Sequence, residues 1–271
     1  MSTVSQPHVA VVDSEPTLHT LLDDITSLQT HRPSIFMDLE GVKLGRHGSI
    51  SIVSLYLPPK DKVYLVDVHR LGRAAFSTAN TSDTSLKTIL ESTAILKVVF
   101  DVRNDSDALY SHYQISLGGI VDLQLMELAT RRGSRAWIAG LSKCIEHDSS
   151  VSSAVKAKWQ RTKEAGSRLF NPEKGGRYEV FNERPLRPEI VRYCAQDVAL
   201  LQGLHDVYKA RLHPFWQVEV QNATKERVKL SQSATYEPQG GNRARGPWSE
   251  DHIEQATDAW NETLLENAFD A

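Results

Sequence analysis

Long apolar runs and closely spaced cysteines are both missing from this sequence of 271 residues. No stretch approaches the roughly 18 to 20 apolar residues that a membrane-spanning helix requires, so we predict that the protein is not embedded in a membrane. The first residues show neither the basic nor the apolar region of a secretory signal, which favours an intracellular location in the cytoplasm or nucleus. The two cysteines, Cys144 and Cys194, match no metal or redox spacing, and we predict that both are small buried residues.

The sequence also lacks an overall positive charge. Its formal net charge is −3, which argues against a protein that coats nucleic acid through bulk positive charge. The local charge is uneven, however: residues 156–192 contain ten Lys or Arg against five Asp or Glu, whereas residues 246–271 contain seven acids and no Lys or Arg. Two oppositely charged patches are therefore expected.

Hydrophobic periodicity predicts a single α/β domain over residues 1–230. A short opening strand at 8–12 leads into a helix, and five further strands that complete the sheet are expected at 34–38, 49–57, 62–68, 95–100 and 119–122. From residue 123 onward the pattern is helical, and the last strong helix of the domain is predicted over residues 189–212.

The C-terminal part of the sequence differs in composition from this domain. Residues 231–247 are polar and rich in Gly, Pro and Ser, which predicts a flexible linker. In the acidic tail that follows, residues 248–271, the apolar side chains Ile253, Ala256, Trp260 and Leu264 recur at helical spacing. We expect an amphipathic helix that docks on this protein or on a protein partner; the alternative is a disordered, solubilising tail.

Two carboxylates stand close together at the end of the second predicted strand. Asp38 and Glu40 are two residues apart, so the alternation of a strand points both to the same face of the sheet. Two oxygen ligands suited to a metal ion would converge there. If Asp38 and Glu40 are considered by themselves, the alternative interpretation is that they belong to a solvated turn.

A tyrosine and a third carboxylate share one face of the predicted helix at 189–212. Tyr193 and Asp197 are four residues apart, which places their side chains one helical turn from each other. On this pair alone, the alternative is a tyrosine at the edge of the core beside a surface acid.

Three acids at the junction between the strand at 95–100 and the next helix are candidates for the site. Asp105 lies one turn before the apolar Leu109 and shares its inward side, whereas Asp107 lies about 200° around the helix and is predicted to be solvated. Asp101 is expected to cap the helix, because Asp is a favoured N-cap residue. Asp105 is therefore the candidate for the site.

The blocks that carry these residues resemble the three exonuclease motifs of the DEDD superfamily, in the correct order. They are MDLEG at 37–41, KVVFDVRNDSDAL at 97–109 and YCAQD at 193–197. The Tyr-x-x-x-Asp form of the third block resembles the tyrosine subclass, which includes ribonuclease D and the proofreading domain of family A polymerases. The resemblance covers roughly Val9 to Leu212. The local sequence around the first two motifs is similar to that of the Egalitarian-like branch of ribonuclease D homologues.

This resemblance implies a ribonuclease H-like fold, with a mixed five-stranded sheet flanked by helices. It also implies two divalent cations, Mg²⁺ or Mn²⁺, with Asp38 between them, Glu40, Asp105 and Asp197 completing their ligand shells, and Tyr193 orienting the attacking water. The expected activity is 3′→5′ exonucleolytic removal of nucleoside monophosphates from single-stranded nucleic acid, with RNA favoured over DNA. The alternative is an RNA-binding adaptor of the Egalitarian-like type with little or no nuclease activity.

Two groups of residues are expected to contact the substrate. By resemblance, residues just after the first motif line the pocket for the terminal nucleotide. The excess of Lys and Arg in residues 156–192, which we call the basic segment, predicts that this segment binds phosphates. For the basic segment, a solvated helix face remains the alternative. Arg46 and His47, beside the first group, are expected to be exposed loop residues, and contact with phosphate is the alternative. The candidates are Gly41, Val42 and Leu44 in the pocket, and Lys156, Lys158, Arg161 and Lys163 in the basic segment.

Overall fold

A six-stranded mixed sheet forms the centre of the computed structural model, which describes residues 7–28, 33–238 and 240–269. The strand order is β1-β4-β3-β2-β5-β6; β3 runs antiparallel to both of its neighbours, and the remaining pairs are parallel. The predicted mixed α/β fold is confirmed. The sheet has six strands rather than five, because the opening strand pairs with β4 along the edge of the sheet. The strands are β1 His8–Val12, β2 Ile35–Glu40, β3 Ile52–Leu57, β4 Lys62–Asp67, β5 Lys97–Val99 and β6 Ile120–Asp122.

Helices occupy most of the chain outside the sheet. The helix predicted over 189–212 is two helices, α9 and α10, because the chain is interrupted at Leu200. The helices are α1 Glu15–Thr26, α2 Val68–Leu71, α3 Ala74–Ser77, α4 Leu86–Glu91, α5 Arg103–Tyr113, α6 Leu123–Thr130, α7 Leu141–Asp148, α8 Ser153–Phe170, α9 Pro188–Ala199, α10 Leu201–Arg211, α11 Pro214–Ser231 and α12 Glu250–Phe269. In the part of the chain that the structure describes, none of the helices is long and apolar enough to cross a membrane.

The two faces of the sheet pack against two separate hydrophobic cores. One core lies against α1, α4 and α5, and the other lies against α6 and the helices from α8 to α11. Strand β2 shows how the alternation of side chains sorts residues between them: Ile35, Met37 and Leu39 enter the first core, and Phe36 enters the second. Because Asp38 and Glu40 continue the register of Phe36, the fold directs both carboxylates to the face that α9 covers.

Residues 231–247 make specific contacts with the domain. Tyr236 is buried, and the Arg46 guanidinium group donates hydrogen bonds to the backbone oxygens of Ser231, Ser233 and Ala234. Farther along, Ala244 accepts a hydrogen bond from the Ile138 amide over 3.0 Å. These contacts hold parts of the predicted flexible linker against the domain, and its flexibility stays a prediction. The composition of this segment did not predict these contacts, because they are made by backbone groups and a few side chains, among them Tyr236 and Arg243.

The first half of α12 docks on α11. Ile253 packs against the second core, and the rings of Trp260 and Phe215 lie 6.1 Å apart. Leu264, the last member of the predicted stripe, is 51% exposed. The stripe thus contacts this chain as far as Trp260. The domain boundaries at residues 230 and 247 stay a prediction.

Candidate active site

Three carboxylates converge at the centre of the sheet. Strand β2 supplies Asp38 and Glu40, and helix α9 crosses the same face and supplies Asp197. One carboxylate oxygen from each of these residues lies within 4.8 Å of the others. We call these three residues the acid cluster. Asp38 and Glu40 are two residues apart on one strand, whereas Asp197 is more than 150 positions away in the sequence. Only the tertiary fold can bring Asp197 close to the other two.

Helix α9 holds Tyr193 and Asp197 on its buried face, as their spacing predicts. The helix begins at Pro188, whose fixed φ suits a first helical position, with Glu189 in the first turn. Tyr193 is 6% exposed, and its ring packs edge-on against Phe170 at 5.1 Å. Burial and the nearby charges of the acid cluster raise the pKa of the Tyr193 hydroxyl well above its usual value, so this group stays protonated.

Asp105 lies beside the acid cluster but outside its compact group. It occupies the first turn of α5, directly after β5, and its side chain is buried, as predicted from its position relative to Leu109. Burial, followed by the charge of Asp38, raises the pKa of Asp105 well above its usual value. The influence of Asp38 shows that the two carboxylates are electrostatic neighbours.

The predictions for the other two acids of this junction were wrong. Asp107 is fully buried, and it accepts hydrogen bonds from the backbone and the guanidinium group of Arg46, each over 2.7 Å. Arg46 is correspondingly withdrawn from solvent, whereas His47 is exposed as expected. The angle around a helix could not reveal this pair, because the loop after β2 folds over α5. Asp101 precedes the N-cap residue Val102, and its carboxylate binds the Arg103 guanidinium group.

The acid cluster carries more negative charge than its surroundings neutralise. Burial and the charge of Asp197 raise the pKa of Asp38 to about 7, and burial and the charge of Asp38 raise that of Glu40 well above its usual value. The pKa of Asp197 is also raised by burial, although Lys163 opposes the shift. Protons or further cations must therefore balance the cluster at neutral pH.

The donor set of the acid cluster fits a divalent metal ion. Carboxylate oxygens are the ligands that Mg²⁺ and Mn²⁺ prefer. Tyr193 and Trp159 lie close enough to Asp197 to lower its pKa, yet neither they nor any other described group donates a hydrogen bond of normal geometry to its buried Oδ1 atom. An acceptor that is buried without a donor requires a cation or a water molecule.

Only one of the four basic candidates on α8 reaches the acid cluster. The Lys163 ammonium lies 2.5 Å from the Asp197 Oδ2 atom. Lys156 is half-buried and donates to the backbone oxygen of Glu146 over 2.7 Å, while Lys158 and Arg161 are exposed. The helical period explains the exposure of Lys158 and Arg161, which point away from Lys163, whereas Lys156 lies on the same side of α8 as Lys163 but two turns earlier. The structure therefore does not bring the four residues together as one phosphate track.

Much of the remaining basic segment is paired with acids. Its net positive charge is therefore less available than the sequence suggested, because exposed pairs cancel locally. The pairs are Arg168 and Lys174 with Glu164, Arg177 and Arg187 with Glu183, Arg184 with Asp67, and Arg192 with Glu189.

The three pocket candidates lie on the loop that follows β2. A Cβ atom at Gly41 would lie 1.9 Å from the Ser49 backbone oxygen, so the close approach of the loop strands requires glycine there. Val42 and Leu44 are half-buried, and Leu44 packs against the first hydrophobic core. This packing accounts for Gly41 and Leu44 without a nucleotide, and their contact with substrate stays a prediction.

Sequence reasoning missed two residues of the site, Trp159 and Gly166, both on α8. A Cβ atom at Gly166 would lie 2.7 Å from the Tyr193 ring, so the absence of a side chain lets α8 approach α9. Trp159, Lys163 and Gly166 are spaced by four and three residues and share one face of α8. That spacing was the available signal, but it does not show which helix the face contacts.

A family model described as 3′-5′ exonuclease matches residues 11–212, which is most of the chain. This chain belongs to the 3′-5′ exonuclease family. The match contains all five predicted catalytic positions and ends before α11, so the C-terminal helices of this exonuclease-family chain lie outside it.

Curated relatives and solved structures agree with this family. The chain is 29% identical to mouse piRNA biogenesis protein EXD1 over 170 residues, which are 61% of this chain and 27% of that protein. Human EXD1 is 36% identical over 89 residues, 33% of this chain and 16% of that protein. The chain thus spans about a quarter or less of the length of these relatives.

The solved structures show that the fold is that of ribonuclease D. The ribonuclease D:GMP complex of Trypanosoma brucei superposes with a TM-score of 0.72 at 22% identity, covering 92% of this chain and 71% of that chain. The complex of that enzyme with RNA U12 gives 0.72 at 19% identity, covering 93% and 79%. Ribonuclease D of Escherichia coli gives 0.60 at 16% identity, covering 84% and 52%. The predicted membership of a 3′-5′ exonuclease family is confirmed by the family model, and the predicted ribonuclease D-like fold is confirmed by these superpositions.

Proposed function

We propose that this chain is a metal-dependent 3′→5′ exonuclease that removes nucleoside monophosphates from single-stranded 3′ ends. The observation that carries the proposal is the convergence of Asp38, Glu40 and Asp197 within 4.8 Å of one another on one face of the sheet. Mutually repelling carboxylates that are half-buried or buried cost folding free energy, so a chain without use for a cation has no physical reason to retain them.

Each residue of the site has a role in this proposal. Asp38, Glu40, Asp105 and Asp197 would hold two Mg²⁺ or Mn²⁺ ions, directly or through water. When bound, such ions stabilise the attacking and leaving oxygens of a phosphoryl displacement. Tyr193 keeps its proton because of its raised pKa, and its hydroxyl can therefore donate a hydrogen bond that orients the attacking water.

We propose RNA rather than DNA as the main substrate. Support comes from the relatives: the mouse and human proteins are named for piRNA biogenesis, and one of the superposed ribonuclease D structures contains RNA U12. A choice between the two nucleic acids requires a placed donor or acceptor at the 2′-hydroxyl group. The loop carrying Val42 and Leu44, directly after β2, is the proposed place for that contact.

A second candidate function is an RNA-binding adaptor without nuclease activity. One observation favours it: the Lys163 ammonium already neutralises part of the charge of Asp197. A single ammonium cannot balance three carboxylates, however, and the raised pKa values of Asp38 and Glu40 persist beside it. The exonuclease is therefore the better supported function.

The test is degradation of matched single-stranded RNA and DNA oligonucleotides, labelled at their 3′-terminal nucleotide, in the presence of Mn²⁺. The exonuclease should release labelled mononucleotide, faster from RNA, and a blocked 3′ end should stop the reaction. Equal RNA binding in chelator and in Mn²⁺, with no release of mononucleotide, would favour the adaptor. Faster release from DNA would overturn the substrate preference alone.

A further inference from the structure

The Lys163 ammonium group occupies a defined position beside the acid cluster. Its ammonium lies 2.5 Å from Asp197 Oδ2, 4.9 Å from the centre of the Tyr193 ring and 5.5 Å from that of Trp159. Two aromatic faces and a carboxylate together favour a cation at this point. Within the described ranges, Lys163 is the only residue that forms an ion pair with the acid cluster.

The packing of α8 fixes this position. Gly166 lets the helix lie against Tyr193, and the Trp159 side chain, one turn before Lys163, is buried. The Lys163 side chain itself is 25% exposed, against 3% for Asp197. Its ammonium can therefore leave the carboxylate by rotating toward solvent, whereas Asp197 cannot follow it.

A divalent metal ion and the ammonium compete for the same carboxylate. A metal ion at the acid cluster would stand within a few ångströms of the Lys163 charge, and repulsion between like charges in a poorly hydrated site is strong. An oxygen that accepts from an ammonium also has less electron density to give to a metal ion. Lys163 therefore opposes loading of the site with metal as long as its ammonium stays on Asp197 Oδ2.

We propose that Lys163 is an internal counter-cation, which stabilises the acid cluster before metal binds and lowers the affinity of Asp197 for the divalent ion. This inference rests on the proposed function, because it assumes that the acid cluster is the metal site. Lys163 is then a positioning residue that sets the metal concentration at which the site becomes loaded. A role of Lys163 as a phosphate contact alone, as predicted from the sequence, does not explain why its ammonium lies so close to Asp197.

The experiment is a calorimetric titration of the chelator-treated, full-length protein with Mn²⁺ in the absence of nucleic acid. Lys163→Met should bind Mn²⁺ about tenfold more tightly than the wild type, the lower end of the effect of residues that contact metal ligands. Lys163→Arg keeps the charge and should retain the weaker affinity. Lys143→Met, at an exposed lysine on the neighbouring helix α7, is the matched control and should leave the affinity unchanged.

Thermal unfolding supplies a second measurement that a phosphate contact would not affect. Without metal, Lys163→Met should unfold at a lower temperature than the wild type, and saturating Mn²⁺ should remove the difference. Lys163→Gln serves as the second variant if the methionine variant does not fold. Unchanged or weaker Mn²⁺ affinity in a folded variant, including no binding in either protein, overturns the inference.

Failure of the inference and failure of the proposed function give different results. Equal Mn²⁺ affinity in the wild type and Lys163→Met, together with mononucleotide release by the wild type, overturns only the role of Lys163. Tighter Mn²⁺ binding by Lys163→Met, with no release by either protein, supports the counter-cation and overturns the exonuclease.

Discussion

Two groups of charged side chains with little solvent exposure both act electrostatically on Asp105, and they are neutralised very differently. The acid cluster of Asp38, Glu40 and Asp197 has Lys163 as its cation. The other group, which we call the paired network, joins two carboxylates to three guanidinium groups. Its members are Asp101, Asp122, Arg103, Arg227 and Arg243.

The pKa values of the two groups move in opposite directions. Burial alone would raise the pKa of Asp101, but the hydrogen bonds from Arg103 and the charges of Arg227 and Arg243 outweigh it and leave the pKa below its usual value. In the acid cluster, burial and Asp197 raise the pKa of Asp38 to about 7 despite Lys163. Burial is common to both groups, so the supply of cations makes the difference. The charges of the paired network are balanced within the fold, whereas the acid cluster keeps a negative charge that protons or further cations must balance.

The substitution with the largest predicted effect on activity is Asp105→Asn, which we contrast with Asp101→Asn. Asp105→Asn replaces a proposed metal ligand by a neutral group of similar shape, so mononucleotide release should fall on the order of a thousandfold with the fold intact. Asp101→Asn should instead lower the free energy of unfolding, because three arginines lose a partner. Release rates and chemical denaturation of both variants measure this contrast. Full activity in Asp105→Asn with loss of activity in a stable Asp101→Asn would reverse the assignment.

The next effect concerns the stability supplied by the paired network. Arg227→Met leaves Asp122, which is fully buried, without its guanidinium partner at 2.7 Å. We expect the free energy of unfolding to fall by about 3–5 kcal/mol, the usual result of breaking a buried ion pair from one side. Arg132→Met, at an exposed position, is the control. A loss below about 1 kcal/mol in urea denaturation would show that the network does not stabilise the fold.

The sequence could predict the parts of the site that depend on short spacings. The alternation of a strand places Asp38 beside Glu40, and one helical turn joins Tyr193 to Asp197. The contacts that the sequence does not reveal depend on long-range packing. Nothing near Asp107 in sequence indicates that the loop with Arg46 covers it, and the segment around Lys163 does not show that α8 packs on α9. A local sequence pattern predicts which face of a helix or strand is buried. It does not predict which other element packs against that face.

A smaller effect tests the approach of α8 to the acid cluster. Gly166→Ala would place a Cβ atom 2.7 Å from the Tyr193 ring and force the two helices apart. We expect a loss of about 1–3 kcal/mol in the free energy of unfolding, typical of overpacking. Gly203→Ala on α10 is a matched control, because nothing lies within 4 Å of its Cβ position and alanine favours the helix. Equal stability changes in the two variants would contradict the packing described for Gly166.

The smallest effect is a dependence of stability on pH in the metal-free protein. The pKa of Asp38 is raised from 3.8 to about 7, so the folded state holds this proton more tightly than the unfolded state. Its stabilising contribution is complete below pH 4 and is lost as pH rises through 7. The unfolding temperature in chelator should therefore fall by a few degrees between pH 5 and pH 8. Asp38→Asn should flatten this part of the profile; an identical slope in that variant would assign the dependence to other groups.

We propose that the acid cluster takes its missing positive charge from divalent metal ions. The most direct measurement is the number of Mn²⁺ ions bound per chain, determined by electron paramagnetic resonance without nucleic acid. We predict about two ions for the wild type, as in two-metal phosphoryl-transfer sites, fewer for Asp197→Asn, and no change for Asp258→Asn on the exposed face of α12. A wild-type protein that binds no Mn²⁺, or an Asp197→Asn variant that binds as many ions as the wild type, would contradict the claim.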